Sequence, residues 1–348
     1  MLRLSFVLCF LFASLLTLQA QNQNYQVGLI GFYNLENLFD TLDTPDVRDT
    51  EFSPAGDKNY NTDLYQDKLG NLSSVIAKLG TDLSPDGVSI LGVCEIENRS
   101  VLEDLVAHPN LVERGYQIVH HDSPDKRGID VGLLYNPKYF TVTNSKNHEV
   151  LIYDDEDGER IFTRDVLLVE GQYGDDQVFI MVNHWPSRRG GEARSAPKRA
   201  AAALVCKNLA DSIRTNVPNA KIVIMGDLND DPISPSVAKV LRAQGKRNKV
   251  RKGDLYSPMW SFYRKGMGTT AWRDAWSLFD QIIVSDNWLD NEQDGFSFYQ
   301  AHIYNPNYLV QKTGHFKGYP FRTFVGDTYL GGYSDHFPVY MAVIRPVK

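Results

Sequence analysis

The sequence predicts a mixed α/β fold that keeps its chemistry at the ends of β-strands. Three observations lead there. Apolar runs of strand length alternate with stretches of helical periodicity. Some strand-like runs follow one another with only a turn between, so hairpins interrupt the alternation and the sheet is not all parallel. Polar side chains stand where apolar runs stop: Asn34 and Glu36, Glu95, His184, Asp227 and Asn229, Asp280, and Asp335-His336. An α/β enzyme holds its reactive groups at such places.

Residues 1–20 carry Arg3, an almost wholly apolar stretch over 4–18 and Ala20, followed at once by polar Gln21-Asn22-Gln23-Asn24. This is the pattern of a secretory signal peptide, short for a membrane span, with an uncleaved anchor as the alternative. Residues 21–348 are then expected to form a single exported domain in the periplasm, on the cell surface or in the medium. No stable membrane insertion is expected after signal removal, and no obligate protein partner is evident. Residues 26–33 (QVGLIGFY) read as the first strand, and 40–61, rich in Asp, Pro, Thr and Asn, as a loop. Leu69, Leu72, Val75, Ile76 and Leu79 give 64–79 helical spacing. Residues 88–93 read as a buried strand, 101–107 as a helix, and 116–121 and 131–135 as strands, the last ended by Asn136-Pro137. A hairpin is expected over 149–170 around Asp155-Glu156-Asp157-Gly158, then a strand over 177–183. The Ala-rich stretch 197–213 predicts a helix with Pro197 near its start. A strand over 221–225, a short helix over 236–241, a loop over 245–268 and strands over 280–284 and 339–344 complete the chain.

Of 348 residues, 43% are hydrophobic and 23% charged, enough apolar chain for a large core. The formal charge is −7, and one unit more negative once Arg3 leaves with the signal. That excludes a protein that holds nucleic acid by phosphate contacts alone. Bound cations can still invert the local field of an acidic protein. Cys9 lies in the apolar leader without the small residues of a lipoprotein cleavage site. Cys94 in a strand and Cys206 in a helix read as two separately buried thiols rather than a disulfide.

Asn34 and Glu36 are spaced to point one way on an extended segment, although a turn also favours Asn. Glu95 ends an apolar strand, where a carboxylate is costly unless paired or ligating a cation. Mg²⁺ suits such a site, because it takes one or two carboxylates and keeps several waters. Glu97 competes for that role from outside the strand. His184 leads into Trp185-Pro186-Ser187-Arg188-Arg189-Gly190-Gly191, a loop suited to an anion. Asp227 and Asn229 can aim at one point, the Asp accepting a proton from water and the Asn donating to an oxyanion. A carboxylate beside His336 would raise its basicity and fix its orientation. No nucleophile-elbow serine, phosphate-binding Gly-Lys loop or zinc spacing of Cys and His is present.

Taken together, these residues resemble the endonuclease/exonuclease/phosphatase superfamily of deoxyribonuclease I-like proteins, from about residue 26 to 344. GDLND (226–230) and SDHFPV (334–339) carry the likeness most specifically. The resemblance implies a four-layer α/β sandwich, two packed mixed β-sheets flanked by helices, and hydrolysis of phosphoester bonds with Mg²⁺, Mn²⁺ or Ca²⁺. It implies a metal and phosphate site at Asn34 and Glu95, with Glu36 and Asp335 as further metal-site residues. It implies that Asp227 positions or activates water, that Asn229 holds phosphate, and that Asp280 orients His336. His336 would act on the phosphate as base or stabiliser, so the general base is either Asp227 or His336. His184 matches the branch of pancreatic-type deoxyribonucleases, sphingomyelinases and inositol polyphosphate phosphatases, where it protonates the leaving oxygen or bonds to phosphate. An abasic-site repair role is disfavoured. Cys94 stands where the family often has Gln.

The expected substrate is a phosphoester, with nucleic acid first. Arg188, Arg189, Arg194, Lys198 and Arg199 follow His184, and Lys246, Arg247, Lys249, Arg251 and Lys252 form a second basic cluster before Trp260, Phe262, Tyr263 and Trp272. Cations beside aromatics suit phosphate and base contacts. The alternative substrates are inositol phosphates, sugar phosphates or lipid head groups, and the alternative to an enzyme is a binding module that kept the fold.

Overall fold

A computed structural model describes residues 24–154, 157–290 and 295–347. The expected signal peptide at 1–20 lies outside the described residues, as do Asp155 and Glu156 of the expected hairpin.

In chain order, β1 (Tyr25–Leu38) is followed by α1 (Thr62–Lys78), β2 (Ile90–Ile96), α2 (Arg99–Ala107), β3 (Gln117–His120), β4 (Asp130–Tyr135) and β5 (Phe140–His148). A small ladder of β6 (Ile152–Tyr153) and β7 (Arg160–Ile161) leads to β8 (Val166–Tyr173), β9 (Asp176–His184), the long α3 (Glu192–Asn216) and β10 (Lys221–Asp227). Then come β11 (Ala243–Gln244), β12 (Leu255–Tyr256), α4 (Met259–Tyr263), and the hairpin of β13 (Thr270–Trp272) and β14 (Ala275–Ser277). β15 (Asp280–Ser285), β16 (Ser297–Ile303), the pair β17 (Phe324–Val325) and β18 (Thr328–Tyr329), and β19 (Val339–Pro346) follow.

Two large mixed sheets result. One has strand order β16-β19-β1-β2-β4-β3, the other β11-β12-β15-β10-β9-β8-β5. β1 and β2 run parallel, as do β9 and β10, while β15 runs antiparallel to β10. The sheets pack face to face with α1 and α2 outside the first and α3 outside the second, which is the deoxyribonuclease I-like four-layer sandwich. Strand alternation builds the layers. Val178, Ile180, Val182, Val223 and Met225 lie in the core between the sheets, while Phe179, Met181, Ile222 and Ile224 meet Ala202, Ala203, Cys206 and Ala210 of α3. Each such fully buried aliphatic contributes about 1.5–3 kcal/mol. Gly92 lets the sheets close, since a Cβ there would stand 2.8 Å from Met225 Sδ. Cys94 and Cys206 are both free and buried.

The same alternation positions the site. His184 continues the inward row of 178, 180 and 182, Asp227 that of 223 and 225, and Asp280 that of Ile282 and Val284. The register sets Asp227 directly between His184 and Asp280. Four sequence readings need correction, one of them the stretch 245–268, which is expected as a loop and carries β12 and α4. β1 runs on to Leu38, and Glu36 and Asn37 in it have φ of 47° and 56°. That left-handed pair breaks the two-residue alternation, so Asn34 and Glu36 do not share a direction. β5 and β16 were not anticipated: β5 is a largely polar edge strand, and β16 mixes polar and aromatic residues. α3 begins at Glu192, ahead of the expected start, and takes Pro197 into its second turn.

Candidate active site

Asn34, His184, Asp227, Asp280 and His336 come together at the strand ends, all of them buried. Asn34 Nδ2 donates to Asp227 Oδ2 at 3.2 Å, and the Asn34 Oδ1 accepts from the Glu36 N–H at 2.9 Å. Asp227 Oδ1 accepts from the Asn229 N–H at 2.9 Å, the tight turn expected of D-x-N. Gly226 before it cannot be replaced, because a Cβ would stand 2.2 Å from the Asn183 carbonyl oxygen. His336 Nδ1 meets Asp280 Oδ2 at 2.6 Å, while its Nε2 lies 3.8 Å from Asp227 Oδ2.

Glu95 has φ of 58°, so it departs from the strand geometry. Its Oε2 accepts from the Asn37 N–H at 3.1 Å. Its Oε1 lies 3.6 Å from His184 Nε2, which is 3.8 Å from Asp227 Oδ2. These separations are too long for hydrogen bonds. Glu95, His184 and Asp227 thus form a convergent set of three ligand atoms, and Asp227, Asp280 and His336 another. His184 Nδ1 is buried without a hydrogen-bond partner.

The remaining candidates have other engagements. Glu36 accepts from the Thr323 N–H at 2.7 Å and the Phe324 N–H at 3.2 Å, which turns its carboxylate toward the β17 loop and outside both convergent sets. Asp335 Oδ2 pairs with Arg322 Nη2 at 3.4 Å, and its Oδ1 is 4.0 Å from His336 Nε2. Asn229 Nδ2 donates to the Trp185 carbonyl at 3.0 Å. Glu97 accepts from the Asp40 N–H and Thr44 hydroxyl and so ties down that loop.

Electrostatics divide the two histidines. Burial, then the Arg164 and Arg127 guanidiniums, hold the His184 imidazole well below its ordinary pKa, so it is neutral. Burial also opposes charge on His336, but the Asp280 and Asp227 carboxylates outweigh it and hold its pKa well above the ordinary value. Burial pushes Asp227 up to about 7, against the pull of the His336 cation. Glu36 is likewise raised to about 7, by burial and then by Asp335.

A cleft of about 650 Å³ opens over His336, Asn229 and Asp335, walled by Arg188, Arg189, Arg322 and Trp272. Trp272, 71% exposed, stands at its lip. Of the two basic clusters, only the first reaches this cleft, through Arg188 and Arg189 alone. Arg247, Arg251 and Lys252 lie instead beside Pro218, Asn219 and Asp286, at the opposite ends of β10 and β15 from Asp227 and Asp280. Arg199 is buried against Asp230 at 2.7 Å and is a structural tie. Sequence reasoning missed Arg164 and Lys68. Arg164 donates to the His184 and Trp185 carbonyls, and Lys68 to the Glu36 carbonyl, so both brace the site's backbone. A lone Arg or Lys far away in sequence gives no signal of such a contact.

The fold and this cluster define a phosphoester hydrolase of the two-sheet sandwich type. The chain matches the Endonuclease/Exonuclease/phosphatase family over residues 29–345 and belongs to that family. The fold is shared with a humanized TDP2 of D. rerio at TM-score 0.53 and 13% identity, covering 91% of this chain and 98% of that one. A family protein from Bacteroides thetaiotaomicron gives 0.53 at 15% identity, covering 93% and 97%. D. rerio TDP2 complexed with single strand DNA product gives 0.50 at 14% identity, covering 91% and 98%. No curated protein matches the chain. Members of the family depend on a divalent metal, and the acidic and histidine groups here could hold one.

Proposed function

We propose that this chain is an exported phosphodiesterase of nuclease type that uses Mg²⁺, with Mn²⁺ or Ca²⁺ as alternatives. One observation carries the reading: Glu95, His184, Asp227 and the Asp280–His336 pair meet beneath a cleft whose lip presents Trp272 among Arg188, Arg189 and Arg322. An exposed indole among guanidiniums suits a base and its phosphates. The D. rerio TDP2 complex with single strand DNA product is consistent with a nucleic-acid substrate.

The donor set fits a divalent cation. Two carboxylate oxygens and an imidazole nitrogen converge without sharing a proton, and His184 is kept neutral, the form that ligates. When bound, the cation would neutralise charge developing on the phosphate oxygens. Asp227, beside the cation and with its Oδ1 held by the Asn229 N–H, would position or activate the attacking water. His336, held cationic by Asp280, donates from Nε2 to a phosphate oxygen as charge builds there. Asn34 fixes the Asp227 carboxylate, and Asn229 has an amide N–H left for the phosphate beyond the one given to Trp185. The water oxygen bonds to phosphorus as the bond to the leaving oxygen breaks in line.

A small phosphoester is the second reading. Its support is the Lys246–Lys252 stretch, which lies away from the cleft and offers a long strand no track. The test is hydrolysis by the chain from Gln21 onward of plasmid DNA, RNA, bis-p-nitrophenyl phosphate and an inositol phosphate panel, with each cation and with chelator. DNA or RNA cleavage, lost with chelator and reduced at least about a hundredfold by Glu95→Ala, is the expected result. Turnover of the small esters alone would shift the assignment to the second reading. A folded chain that binds no cation and turns over nothing would be a binding module.

A further inference from the structure

Behind the ridge formed by residues 186–190, a second recess of about 360 Å³ opens beside the catalytic cleft. Ser187 and Arg189 line both. Arg127, Arg164 and Lys198 add cations to the recess, and Asp125 is the one carboxylate in its lining. Asp125 is already neutralised, since Arg164 Nη1 holds it at 3.0 Å and Arg127 Nε lies 3.6 Å away. Arg189 and Lys198 make no hydrogen bond or ion pair among the described residues. Thr163 also lines the recess, 4% exposed, and its hydroxyl is buried without a partner. Such an orphan is costly, and few native polar groups are left so. The first turn of α3 faces the recess through Arg194 and Ser195, bringing the positive end of a long helix to the same place. Arg164 fastens the recess to the catalytic strand, donating to the His184 carbonyl at 3.0 Å and to that of Trp185 at 2.8 Å.

Resting on the nuclease reading, we propose that this recess is a second phosphate subsite, which takes a neighbouring phosphate of the same strand while the scissile one lies in the cleft. Cations in excess, an unpartnered hydroxyl and a helix start are the donors that a phosphate's oxygens require. The ridge fixes the spacing, because it follows His184 after one intervening residue and forms the recess wall. The substrate it selects is a strand with at least two phosphates.

The test uses Lys198→Ala and Thr163→Val in the chain from Gln21 onward, neither in the catalytic cluster. Labelled oligothymidylates carrying one to four phosphates are bound in chelator and read by fluorescence anisotropy. Turnover of bis-p-nitrophenyl phosphate is measured in parallel. The expected result is that parent affinity steps up when a second phosphate is added, and that each variant loses roughly tenfold of that step. Lys198→Ala should also lower the salt slope by about one. Turnover of the single-phosphate ester should stay within about twofold. Thr163→Val should leave thermal stability equal or higher, since it removes an unpaired buried hydroxyl. Variants that bind every oligothymidylate as the parent does would overturn the subsite. Inositol hexakisphosphate showing the step while oligothymidylates do not would overturn the strand and leave a compact polyphosphate. Because binding is read without turnover, a chain that hydrolyses nothing would refute the nuclease reading independently of this result.

Discussion

Asp280 reaches the chemistry only through His336, and this makes it the sharpest residue-scale test. Its Oδ2 sits 2.6 Å from the imidazole and keeps His336 cationic against the pull of burial. A histidine with a raised pKa is charged below that pKa and loses its charge as pH rises through it. Asp280→Asn removes the main stabilising charge, so the loss comes at lower pH. The alkaline limb of kcat/KM should therefore move to lower pH, with a fall in kcat on the order of a hundredfold. Profiles of parent and variant at saturating cation would show it, and an unmoved limb would mean that His336 does not act as a cation. The pairing of Asp280 with His336 was legible only through the family resemblance that GDLND and SDHFPV carry, since neither residue alone announces the other. The direction of Glu36 was not: it depends on two consecutive left-handed residues, which ordinary side chains rarely adopt and composition does not announce.

At the scale of elements, the β13–β14 hairpin is built to hold one indole in solvent. Its turn residues Arg273 and Asp274 have φ of 48° and 63°, matching the tight twist of a two-residue hairpin. Tyr319 grips Asp274 by side chain and backbone, and Trp276 stacks on Phe337 with ring centroids 6.0 Å apart. The neighbour of His336 thus anchors the hairpin that carries Trp272. Trp272→Ala removes little buried surface, so the unfolding midpoint should stay within about 0.5 kcal/mol of the parent. Stacking of one base is worth about 1–3 kcal/mol, so KM for oligonucleotide should rise roughly fivefold or more while KM for bis-p-nitrophenyl phosphate holds. Equal effects on both substrates would refute a base platform. Long apolar strands such as β9 and β10 were readable from their runs of Val, Ile and Met. β5 was not, because an edge strand with one solvated face lacks such a run, and its pairing with β8 decides its conformation.

The whole molecule sets the cost of the site. Two packed sheets bury Asp227, Asp280, His184 and His336 together, and the first of these resists ionising until about pH 7. The sign follows from linkage. With its folded pKa raised above the ordinary carboxylate value, Asp227 contributes stability that is full at acid pH and lost as pH rises through about 7. A bound divalent cation requires the ionised carboxylate and reverses this, so its stabilisation should grow over the same interval. At a hundredfold excess over Kd, a cation that binds only the folded chain contributes about 2.7 kcal/mol. Urea unfolding in Mg²⁺ and in chelator, at about pH 6 and about pH 8, measures the difference directly. The gap between the two curves should widen at the higher pH and should vanish in Glu95→Ala. A gap that is constant with pH would place the cation away from Asp227. One that survives in Glu95→Ala would place it away from the cleft altogether.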